Sequence, residues 1–123
     1  MKISTMLLRA LFVVNLVLGI LFWTGNEPGG IVLLHMLVGI AFVVLLWVIG
    51  TLAALRTGNI GLQVSTFLTG LIIAIFGLIQ RQILIGSAHW IVQVLHLLLA
   101  VAGIGLAEMC GAQVRRKAAA RTA

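Results

Sequence analysis

Residues 88–108 read AHWIVQVLHLLLAVAGIGLAE, and the reading of this stretch decides the fold. It is apolar enough to cross a bilayer, yet it carries His89, Gln93 and His96. These sit four and then three residues apart, so on a helix they share one face. Deeper on that face come Ala100 and Gly103, both small. An ionisable side chain in a membrane helix is costly, which makes it a functional candidate. The second apolar stretch repeats the theme: in IVLLHMLVG, His35 is followed four residues later by Gly39. The pattern predicts a chain organised to bring His35 and His96 together.

The composition fixes the solvent. The 123 residues are 63% hydrophobic and 8% charged, where a soluble domain carries about 25% charged residues. A soluble fold this small cannot bury so much apolar surface, so the chain belongs in lipid. About 20 residues are needed per span, which leaves room for four helices and short loops in one domain. The expectation is all-α: an integral membrane four-helix bundle running up-down-up-down. Its helices fall at about 6–23, 31–55, 60–79 and 88–110, and a basic tail over 113–123 frays or lies at the headgroup level. The first segment ends in Phe22-Trp23-Thr24-Gly25, which lacks the small residues of a signal cleavage site, so it is kept as a helix. The turn formers Asn26, Pro28, Gly29 and Gly30 mark the first loop. Arg56-Thr57-Gly58-Asn59 is so short a connection that the second and third helices must be antiparallel neighbours.

The net charge of +6 is distributed by topology. Four spans put Lys2, Arg9, Arg56, Arg115, Arg116, Lys117 and Arg121 on one side, and Arg81 with Glu27 on the other. That bias places both termini in the cytoplasm. Attraction to anionic lipid is a secondary effect of the same charges. Nucleic acid is not an expected partner, because there are too few aromatics for a base-stacking surface. The single cysteine, Cys110, excludes an intrachain disulfide and reads as a small apolar residue. Glu108 reads as an interfacial carboxylate paired with Arg115 and Arg116 of the tail. No phosphate loop, metalloprotease motif or nucleophile elbow occurs. Small multidrug exporters are also four-helix proteins of this size, but they depend on a first-helix glutamate that this chain lacks.

His35 and His96 lie on helices of the same direction, each roughly 7–9 Å below the outer interface. In an up-down-up-down bundle those helices are diagonal, about 12–14 Å apart. Two imidazoles and two metal–nitrogen bonds need about 16 Å between axes, a slightly widened diagonal. A porphyrin ligated on both faces would fit there. Small residues at that depth (Gly19, Gly39, Ala74 or Gly77, and Ala100) leave either a slot for a flat group or merely close helix packing. Arg81, His89, Gln93 and Asn26 are candidate propionate contacts, although Arg81 alone also suits snorkelling and His89 suits the rim. The carbonyls of Ile31 and Val92, four residues back, are expected to accept from the second ring nitrogens. Asn15 reads as a bond between helices. Aligning His35 with His96 pairs IVLLHMLVGIA with VQVLHLLLAVA, but the first and third helices do not match at that offset.

The residues LLHMLVG and HWIVQVLHLLLAVAG resemble small bacterial four-helix membrane proteins of uncharacterised function, and more loosely the bis-histidine membrane b-type cytochromes. That resemblance implies a bacterial plasma-membrane protein with one haem b held by His35 and His96. Membrane cytochromes with two haems carry four core histidines, and only two stand here, so the resemblance stops at one haem. The function expected is electron transfer with a quinone or a redox protein, and the chain is more a carrier than an enzyme. Two other readings stand beside it. One is a divalent metal held by His35 and His96, with His89 as a third candidate nitrogen that stands about two turns too high to join them. The other is a cofactor-free accessory subunit whose histidines bond across helices. Outward faces of Leu, Ile and Val suit lipid, a second copy or a larger membrane complex equally.

Overall fold

The computed structural model describes residues 1–25 and 30–122. Asn26, expected as a propionate contact, and the loop residues Glu27, Pro28 and Gly29 lie outside the described residues. Four helices follow in order: α1 (Lys2–Trp23), α2 (Ile31–Thr57), α3 (Ile60–Ile79) and α4 (His89–Ala120). All four are long and apolar enough to cross a membrane. The described residues contain no strand, as hydrocarbon demands of a chain that must satisfy its own backbone.

Each connection has a local cause. α2 stops at Gly58, whose φ of +77° is the left-handed conformation glycine adopts freely. Its N–H closes on the Ala54 carbonyl at 2.7 Å. Asn59 then caps α3, its Oδ1 accepting from the Gly61 N–H at 3.1 Å. Two residues thus reverse the chain and set α2 beside α3. A short 3-10 turn, Gln80–Gln82, leads from α3 toward α4.

The helices run further than the apolar stretches alone require. α1 begins at Lys2, α2 continues to Thr57, and α4 continues to Ala120. The tail from Gln113, expected to fray or to lie at the headgroup level, is helical as far as Ala120. Alanine, arginine, lysine and glutamine are strong helix formers, and cations at a helix C-terminus oppose its dipole favourably. Two contacts tie this end down: Lys117 Nζ donates to the Thr57 carbonyl, and Asn59 Nδ2 donates to Gln113 Oε1 at 3.3 Å. Both termini and the α2–α3 turn consequently share one end of the bundle.

The core lies toward that end. Leu8, Leu46, Ile49, Ala53, Ala107 and Cys110 are its centre, all buried. α2 packs most closely on α3 because two glycines admit large neighbours. Gly50 faces Thr66, and Gly70 faces the Trp47 indole, each closer than an added Cβ would allow. Thr66 is fully buried and directs its hydroxyl back to the Leu62 and Gln63 carbonyls at 2.9 and 3.0 Å. Trp47 Nε1 donates to the Phe67 carbonyl at 3.2 Å. Glu108 pairs with Arg9 of α1, at 2.7 Å from Nε and 2.6 Å from Nη2. The sequence-based pairing with Arg115 and Arg116 is corrected here: Arg9 arrives from the neighbouring helix at the level of Glu108, whereas Arg115 folds over Gly111.

Gly50→Ala should destabilise the bundle by about 1–3 kcal/mol through this overpacking, measured as unfolding in mixed micelles. Adding Thr66→Ala should recover only part of the loss, because the Thr66 Cβ itself stands 2.8 Å from the new methyl.

Candidate functional site

Toward the other end, burial thins out. Leu18 and Val92 are buried there, while Gly19, His35, Gly39, Phe76, Gly77 and His96 are half-buried. His35 is the fifth residue of α2 and His96 the eighth of α4. Their rings meet at the same level, with centroids 6.3 Å apart and planes at 49°.

The two rings are held in matching ways. On α1, a Cβ built on Gly19 would stand 3.8 Å from His35 Cε1. On α3, a Cβ built on Gly77 would stand 3.2 Å from His96 Cε1 and 4.0 Å from its Nε2. Glycine at each point lets an imidazole lie against a neighbouring helix backbone. Phe22 meets the His35 ring edge-on at 5.3 Å, and Phe76 stacks on His96 at 6.1 Å. Each hairpin, α1–α2 and α3–α4, therefore supplies one histidine, one glycine and one phenylalanine.

The packing of α2 and α4 departs from a widened diagonal. α2 packs directly on α4, while α1 and α3 make little or no contact. The two helices close on each other two turns below the histidines. There a Cβ on Gly103 would meet Phe42 at 3.2 Å and Ile73 at 3.3 Å. Gly103 thus serves close packing beneath the site. Gly39 serves Asn15, whose Nδ2 stands 3.2 Å from where its Cβ would be. Ala100 is half-buried one turn below His96.

The polar atoms at this level are unusual. Among the described residues, three buried side-chain atoms make no hydrogen bond within the chain: Asn15 Oδ1, His35 Nδ1 and His96 Nδ1. The Ile31 and Val92 carbonyls, expected as acceptors, do not take the ring nitrogens. Helical carbonyls four residues back already serve the α-helical ladder, and both rings are turned toward the flanking glycines. Asn15 likewise touches α2 without a bond through its oxygen. A buried polar atom with no partner costs about 1–3 kcal/mol, and all three fall in one region.

His89 stands apart from the pair. Its Nδ1 lies 3.3 Å from the Ile83 carbonyl, tying the start of α4 to the preceding turn. Among the described residues no group of three histidine, cysteine or acidic side chains is placed to hold a metal. A three-nitrogen site including His89 is therefore not formed. Arg81 is exposed on the turn at this end, and Trp23 and Trp90 are exposed beside it. The flanking phenylalanines carried no sequence signal as site residues, since aromatic side chains in apolar helices read as core or lipid contacts.

Comparison with known protein families, characterised proteins and solved structures finds no match to this chain.

Asn15→Leu keeps the branched four-atom shape of the side chain and removes the orphaned oxygen. If nothing else bonds that oxygen, stability in detergent should rise by about 1–3 kcal/mol, read from unfolding curves. A fall in stability would mean that a bound molecule partners Asn15.

Proposed function

We propose that the outer half of the bundle is a bis-histidine redox centre in which His35 and His96 share one iron, carried by haem b. One observation carries this reading: two imidazoles from different hairpins stand with centroids 6.3 Å apart, each with a buried ring nitrogen that makes no bond. Two rings on one metal, each about 2 Å from it through a nitrogen, have centres roughly 6 Å apart. The donor set suits the group, since neutral imidazoles are its usual axial ligands. Gly19 and Gly77 let the two rings lie against the flanking helices, and Arg81 stands on the turn at the same end of the bundle.

Haem held by His35 and His96 would supply one-electron transfer. The protein's part is to bring the two imidazoles together, hold their orientation through Phe22 and Phe76, and keep the iron in a medium poor in water. His35 and His96 stand at one end of the spans, opposite the basic end. With the basic end in the cytoplasm, as its charges favour, the centre sits near the outer leaflet of a bacterial plasma membrane. A single centre there does not carry electrons across the whole bilayer alone. Its exchange partner is a quinone in that leaflet or a redox protein docking at the same end. A second copy or a larger complex would cover the outward apolar faces.

An optical spectrum tests this directly. Protein expressed with ample haem should show a reduced-minus-oxidised b-type signal, lost in His35→Ala and in His96→Ala while far-UV circular dichroism is unchanged. A colourless wild-type protein would contradict haem. Metal analysis of that colourless sample then separates a bound divalent ion from a cofactor-free accessory subunit.

A further inference from the structure

We infer that the bundle end carrying both termini is a docking surface for anionic phospholipid headgroups, built on the last turns of α4. α4 has 32 residues, about 48 Å at 1.5 Å per residue, whereas about 20 residues cross the hydrocarbon. The extension is a fixed part of the bundle. Lys117 Nζ holds the Thr57 carbonyl at the end of α2, and Gln113 Oε1 accepts from Asn59 Nδ2. Both bonds fasten it to the α2–α3 turn and so to the rim of the membrane.

The charge on this rim is one-sided. Arg115, Arg116, Lys117 and Arg121 are exposed on the extension, and Arg56 is exposed beside the turn. Residues 115, 116 and 117 follow one another at about 100° around the helix, so their side chains fan across more than half its circumference. Arg115 leans over Gly111, on the side of α1 where Thr5 lies. Lys117 faces the opposite side, toward Gly58. The one acidic side chain described at this end, Glu108, is engaged by Arg9. Guanidinium groups carried to headgroup depth on the anchored helix match phosphate oxygens in geometry as well as charge. A zwitterionic headgroup carries its own cation and gains less, so a headgroup of net negative charge is the occupant. This surface stands at the far end from the histidines and does not depend on what they bind.

The test uses the full chain in mixed micelles of phosphatidylglycerol and phosphatidylcholine in equal amounts, re-isolated and assayed for retained phospholipid. The wild type should retain phosphatidylglycerol in preference. The triple variant Arg115→Gln, Arg116→Gln, Arg121→Gln should lose that preference, at about fivefold per cation removed, with helicity unchanged. Raised salt should also weaken the preference in the wild type, since the groups are exposed. Equal retention of the two lipids by the wild type, or undiminished phosphatidylglycerol retention by the triple variant, would overturn the inference. So would displacement by inorganic phosphate beyond that by chloride at equal ionic strength, which would mark a site for the free ion.

Discussion

A polar group in hydrocarbon has no water to turn to and must find its partner within the protein. That constraint arranges most of this chain. Trp47 gives its indole N–H to the Phe67 carbonyl. Thr66 returns its hydroxyl to its own helix. Gln63 reaches Thr51 across the α2–α3 seam at 3.4 Å. Arg9 and Glu108, brought together from α1 and α4, neutralise one another. Among the described residues, Asn15 Oδ1, His35 Nδ1 and His96 Nδ1 stand against this background as the buried side-chain atoms without a bond within the chain. Their concentration in one place is what makes the region a candidate site.

Packing divides the molecule in the same way. In the half that carries the termini, glycines bring helices close: Gly50 to Thr66, Gly70 to Trp47 and Gly103 to Phe42. That half holds the buried core. In the other half, the glycines face imidazoles. Gly19 and Gly77 make room for ring atoms of His35 and His96. The same residue type thus does two jobs, and the partner across the contact decides which. Close packing in the half that carries the termini sets the two hairpins relative to each other, and with them the separation of the two rings.

Most of the architecture was legible in the sequence, because lipid leaves few choices. Four long apolar stretches, an Arg56–Asn59 turn and the spacing of His35 and His96 predicted the helices, their order and the meeting of the two rings. Four features were not legible. The partner of Glu108 is set by how α1 lies against α4, which no local pattern encodes. The anchoring of residues 113–120 depends on Lys117 and Gln113 reaching the α2–α3 turn. The likeness of the two hairpins at the site was hidden by register. His35 and His96 are 61 residues apart, whereas Gly19 and Gly77 are 58 apart. No single offset aligns both pairs, and the three-residue difference is close to one helical turn. The direction of the ring nitrogens also escaped the sequence, since it follows from the glycines that receive the rings.

Electron paramagnetic resonance of the oxidised, purified protein tests most directly whether His35 and His96 share one iron. Two imidazoles on a ferric haem give a low-spin signal, and replacing either histidine with alanine should convert it to high spin or abolish it. A high-spin signal in the wild type, or a low-spin signal that survives loss of either histidine, would contradict shared ligation.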